Sequence, residues 1–163
     1  MIRSGALNID MKNKDQILLE NLYSKILSEE LEYRGEHTAP STESGAPAYD
    51  LTLNGIYPKD VYNMPSWYET EDGLDEMYKI LRLKGNPDGP VWIHRAIPME
   101  VYKKSEGMIP INTGDWVTTN KQYAKDHGEG TLSGDYKIVS KRVKASQIFT
   151  NGDSIMEWGY YPQ

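Results

Sequence analysis

The stretch DSIMEWGYYP, residues 153–162, sets one carboxylate, Glu157, among Ile155, Met156, Trp158, Tyr160 and Tyr161. A charge buried in such company without a partner is costly. Glu157 is therefore either neutralised, by Arg95 or Arg142 across a sheet, or held there for a task. Three further groups precede it in an ordered set. Arg95 lies inside VWIHRAIP, the hydroxyls of Thr118 and Thr119 end GDWVTT, and Tyr123 follows in NKQYAKDHG. Other chemistries lack their signatures. There is no phosphate-cradling glycine loop, no GxGxxG and no GxSxG elbow, and His37, His94 and His127 are too widely spaced for a HExxH-type metal site. Neighbours on a strand face opposite sides, so His94 should point away from Arg95, into core or sheet-back.

The elements that must position these residues can be read from periodicity. Residues 13–35 predict the clearest helix: Asn13 and Gln16 have capping-box spacing, and Leu18, Leu19, Leu22, Tyr23, Ile26, Leu27 and Leu31 form a one-sided stripe before Gly35. Residues 36–72 read as a long connection punctuated by Pro40, Pro47, Pro58 and Pro65, with a helical turn at PKDVYNM. GLDEMYKILRLKG predicts a second helix with Leu74, Met77, Tyr78 and Leu81 on one face and Gly85 at its end. A turn at NPDG then leads to strands at PVWIHRAIP and GDWVTT. A short helix capped by Asn120 and stopped by Gly128 follows, and then strands at DYKIVSKRV, QIFT and SIMEWGY. Helices come first and strands later, without βαβ alternation, so the expected class is α+β. One domain is expected over 1–163, with a helical and loop part at 1–85 and a strand-rich part at 86–163.

Composition bounds the function classes. A formal net charge of −6 argues against a broad phosphate-binding surface. Lys137, Lys141, Arg142 and Lys144 read as a solvated strand face, on which Lys141 and Arg142 point opposite ways. The absence of cysteine removes disulfides, thiolate metal sites and a cysteine nucleophile. No apolar run follows Arg3 and none reaches the length of a membrane span, so no leader, no membrane association and a cytoplasmic location are expected. Twelve Tyr and four Trp against one Phe give most aromatic surface a polar handle, suited to cleft walls or half-buried sheet positions.

The order of strand Arg, strand-end Ser/Thr motif running into a helix, and late strand Glu resembles the arginine–serine–glutamate class of ADP-ribosyltransferases. Over residues 33–162, YRGEHTAP followed by IHRAIP…INTGDWVTTNKQYAKDHG…YKIVSKRVKASQIFTNGDSIMEWGY is similar to ADP-ribosyltransferase-like domains of bacteriophage proteins. The resemblance implies a split, two-sheet β core with flanking N-terminal helices beside an NAD cleft. It implies NAD as substrate and no metal. The product would be a mono-ADP-ribosylated host macromolecule, made in the host cytoplasm. A protein, such as a defence component, is the favoured acceptor and nucleic acid the less favoured one.

The residue roles it implies make chemical sense. Glu157 would bind the ribose 2′-hydroxyl and stabilise an oxocarbenium-like transition state. Thr118 would orient Glu157 or a ribose oxygen, with Thr119 second, so that the acid's permanent partner would be Thr118 rather than an arginine. Arg95 would clamp the pyrophosphate, and the backbone of Ala96 would hold the carboxamide. Tyr123 or Trp116 would stack on nicotinamide, and His37 would stand at the cleft mouth. Two departures qualify the match. Ile155 stands where ExE relatives carry a second acid that activates the acceptor, and Asn120 stands where the third hydroxyl of Ser-Thr-Ser would be. NAD hydrolysis and a catalytically silent binding module on the same fold are the competing functions.

Overall fold

The computed structural model describes residues 38–105 and 111–162. The helix expected over 13–35 and the candidate His37 lie outside the described residues. By its contacts the chain divides into Met1–Thr38 and Ala39–Gln163. The second unit is a mixed α/β fold with two antiparallel sheets and few helices.

The proline-punctuated connection carries short elements of its own. Strand β1 (Ala46–Pro47) is followed by three 3₁₀ turns at Leu53–Gly55, Lys59–Tyr62 and Pro65–Trp67. Pro47 can sit in β1 because that strand is a sheet edge, where a missing N–H costs no ladder bond. Helix α1 (Glu71–Leu81) then turns Gly73, Glu76, Met77 and Ile80 inward. This is not the face the apolar spacing suggested. Met77 is buried, but Leu74 and Leu81 are only half-buried and Tyr78 is 48% exposed. The helix is rotated so that Ile80 enters the core and a carboxylate comes with it. Gly85 ends the segment at φ +73°, a conformation glycine adopts without strain.

Strand β2 (Pro90–Pro98) runs over the segment expected. A short helix α2 (Met99–Lys104) follows that the sequence did not suggest. Strand β3 (Asp115–Val117) leads into helix α3 (Lys121–Thr131), where the Asn120 side chain accepts from the Tyr123 N–H at 3.0 Å. Gly128 does not stop α3. It is buried within the helix, where any Cβ would meet the Tyr136 ring. Its smallness serves close packing of α3 on strand β4 (Tyr136–Lys144).

β2 and β4 form a two-stranded sheet paired from Pro90↔Lys144 to Pro98↔Tyr136. The other sheet has the order β1-β5-β6-β3, with β5 at Ile148–Thr150 and β6 at Trp158–Tyr160. One bridge joins the sheets. His94 and Thr118 exchange both backbone bonds, at 2.7 and 2.9 Å. The main core gathers Leu51, Val61, Met77, Ile80, Ile93, Ile148, Ile155 and Trp158. Of the expected strand SIMEWGY only the last three residues pair. Residues 154–157 lie outside the ladder, so Glu157 precedes β6 rather than sitting in it. There the Trp158 indole donates back to the Ile155 carbonyl at 2.8 Å, tying the turn that presents Glu157.

Candidate functional site

Register brings Arg95 on β2, Thr118 just past β3 and Glu157 just before β6 into neighbouring segments. Val117 pairs with Trp158 at the end of the β3–β6 ladder, so Thr118 and Glu157 are the next residues beyond it. Thr118 is bridged to His94, the residue before Arg95. The backbones of Arg95, Thr118 and Glu157, far apart along the chain, thus lie in neighbouring segments, with the Arg95 side chain on the face of β2 opposite to that of His94.

Their side-chain partners differ from those expected. Glu157 Oε1 accepts from the Tyr123 hydroxyl at 2.7 Å, not from Thr118 and not from an arginine. The Thr118 hydroxyl instead accepts the Asn120 N–H at 3.1 Å, and so helps shape the entry to α3. Tyr123 is therefore a hydrogen-bond partner of the acid rather than simply an aromatic platform. Burial first, and the bond to Glu157 second, push the Tyr123 phenol up to about 12. Arg95 Nη1 meets Asp115 Oδ2 at 2.5 Å, and the Asn112 N–H donates to the same oxygen at 2.8 Å. Asp115 is the arginine's resident counter-charge. Its signal was its place at the head of the strand that carries Thr118, where it read as a turn residue.

The remaining candidates fall around this centre. The Thr119 hydroxyl is sealed from solvent and makes no hydrogen bond among the described residues. Trp116 is half-buried on β3 opposite Gly159. Ala96 pairs with Ile138 across the β2–β4 ladder. Because backbone groups alternate along an antiparallel strand, its N–H and C=O point the same way as those of His94, away from β4.

His94 lies on the other side of β2 from Arg95, as the alternation requires. Its Nδ1 is 2.7 Å from the Ser140 hydroxyl, and burial and the nearby Lys121 lower its pKa against a smaller opposing effect of Glu76. Glu76 itself was missed from sequence. It is 2% exposed, and its Oε2 accepts from Lys79 Nζ at 2.9 Å and Asn120 Nδ2 at 3.3 Å.

Two cavities of about 650 and 380 Å³ share Tyr62. None of the candidate site residues named from the sequence lines either of them. Among the described residues no group of three His, Cys, Asp or Glu could hold a metal ion, and no helix is long and apolar enough to cross a membrane. No family model, no curated protein and no solved structure matches the chain.

Proposed function

We propose that this chain is an NAD-dependent mono-ADP-ribosyltransferase of the arginine–serine–glutamate type, modifying a host macromolecule and releasing nicotinamide. The observation that carries the reading is the nearness of three distant segments: Thr118 is bridged to the residue before Arg95, and Glu157 directly precedes the strand that pairs with β3.

Each group has a task the substrate would ask of it. Tyr123 occupies Oε1 of Glu157 and leaves Oε2 without a partner among the described residues. Oε2 is therefore the atom for the ribose 2′-hydroxyl, and the carboxylate charge faces the ring as the oxocarbenium develops. The bond from C1′ to the pyridinium nitrogen breaks, and its electron pair leaves with nicotinamide. The acceptor's lone pair then bonds C1′ as its proton departs. Arg95, with 29% of its side chain exposed, would share its guanidinium between Asp115 and a phosphate oxygen. The N–H and C=O of Ala96 that point away from β4 would suit a carboxamide, and a ligand hydroxyl reaching Thr119 would relieve its unsatisfied oxygen.

Water as acceptor is the second reading, and Ile155 favours it. That position is fully buried and apolar, so no side chain there can activate a protein nucleophile. Incubation with NAD labelled in the adenosine half, with and without host lysate, separates the two. Label on a macromolecule supports transfer, and free ADP-ribose alone supports hydrolysis. Glu157→Gln should reduce nicotinamide release about 10²–10³-fold with an unchanged thermal melt. Absence of both nicotinamide and label overturns the enzyme readings in favour of a binding protein, and full nicotinamide release by Glu157→Gln overturns the role given to Glu157.

A further inference from the structure

Glu76 is a carboxylate in the core that takes no part in the chemistry proposed for Glu157. At 2% exposure it is among the most buried polar side chains of the described residues. An isolated charge at such a depth is strongly disfavoured, so its partners determine what it does. Lys79, one helical turn on, supplies the charge from a largely exposed position, its side chain 60% accessible. The second partner comes from a different element, the Asn120 amide at the head of α3. His94 feels both Lys121 and Glu76 electrostatically, so the Glu76 charge reaches this histidine of β2 as well as Lys79.

The Asn120 side chain is engaged at both ends. Its Nδ2 donates to Glu76, which leaves Oδ1 to accept from the Tyr123 N–H. An amide free to rotate would present nitrogen or oxygen to the helix with little preference, and only oxygen caps it. A buried acceptor on α1 thus selects the capping orientation of the first residue before α3. The residue whose N–H is capped is Tyr123, the same residue whose hydroxyl holds Glu157.

We propose that Glu76 is a positioning residue: acting through the Asn120 amide, it fixes the first turn of α3 and so aims Tyr123 at Glu157. This rests on the transferase reading only where activity is concerned, since the linkage from Glu76 to Glu157 is a property of the fold.

The test reads the Tyr123 hydroxyl directly, by pH titration of the full chain carrying tyrosine labelled at Cζ, with Tyr123→Phe assigning the signal. Wild type should titrate near 12. Glu76→Ala, and Asn120→Ser, which keeps a capping oxygen but loses the amide donor, should each lower that value by about one unit. Glu76→Gln retains an acceptor for Nδ2 and should restore most of the shift. The double variant should fall no further than either single one.

A wild-type Tyr123 titration in folded Glu76→Ala or Asn120→Ser overturns the proposal, even if either variant melts earlier. So do independent, additive effects in the double variant. If Glu76→Ala does not fold, Asn120→Ser decides on its own. Where wild type turns over NAD, the same variants should lose kcat with KM retained. A wild type without nicotinamide release defeats the transferase reading and leaves the titration result standing.

Discussion

A fully buried carboxylate beside a guanidinium that is 29% exposed makes Asp115 and Arg95 unequal partners. Asp115 needs the pair to offset desolvation, whereas Arg95 could turn to water or to a ligand anion. Removing the acid leaves the Asn112 N–H and one face of the guanidinium unsatisfied at the head of β3. Asp115→Ala should therefore destabilise the fold by about 3 kcal/mol, the lower end of the range for a broken buried pair because one partner reaches solvent. Urea unfolding reads this, and a change below about 0.5 kcal/mol would place the pair among ordinary surface bridges. Glu157 follows a different rule. Its charge is half-buried beside a phenol, so the hydroxyl stabilises it without neutralising it. The question its apolar surroundings raise has a local answer, Tyr123, which lies too far along the chain for spacing to reveal.

Gly159 shows how element packing constrains sequence in the WGY segment. β6 lies between β5 and β3, and the chain at Pro40 crosses so near that a Cβ on Gly159 would run into the Pro40 carbonyl. A backbone obstacle cannot rotate aside as a side chain can. Gly159→Ala should cost about 3 kcal/mol or prevent folding, measured as the melting shift against Gly152→Asn, a substitution at a positive-φ turn that asparagine tolerates better than most residues. Retained stability would mean that the Pro40 crossing can move. The β2, β4 and β5 segments and the Asn120 cap were legible in sequence because local alternation, turn residues and a capping side chain specify them. The inward face of α1 was not, because its most telling residue is a charged one. Glu76 is acceptable inside only through Lys79 and Asn120, and the latter is 44 residues away. The continuation of α3 past Gly128 was hidden likewise, since the reason for that glycine is a ring on β4.

Across the whole molecule, a few partly or fully buried titratable groups, His94 and Tyr123 near the candidate site and Tyr57 in the core, make stability depend on pH. His94 is disfavoured as a cation in the folded chain, by burial first and by Lys121 second, so its pKa lies below the ordinary 6.5. As pH falls through 6.5 the unfolded chain takes up this proton first, and stability drops until folded His94 is protonated too. On the alkaline side Tyr57, through burial and the charges of Glu69 and Asp153, and Tyr123, through burial and Glu157, hold their protons to about 12. Between about pH 10 and 12 the unfolded chain loses those protons first, so stability falls as pH rises. Chemical denaturation from about pH 5 to 11 should therefore trace a plateau near neutrality with a decline on each side. His94→Asn should flatten the histidine part of the acid limb and leave the alkaline limb alone, while Tyr123→Phe should do the reverse. An acid limb that His94→Asn leaves as steep as before would show that the imidazole is no more protected from protonation in the folded chain than in the unfolded one.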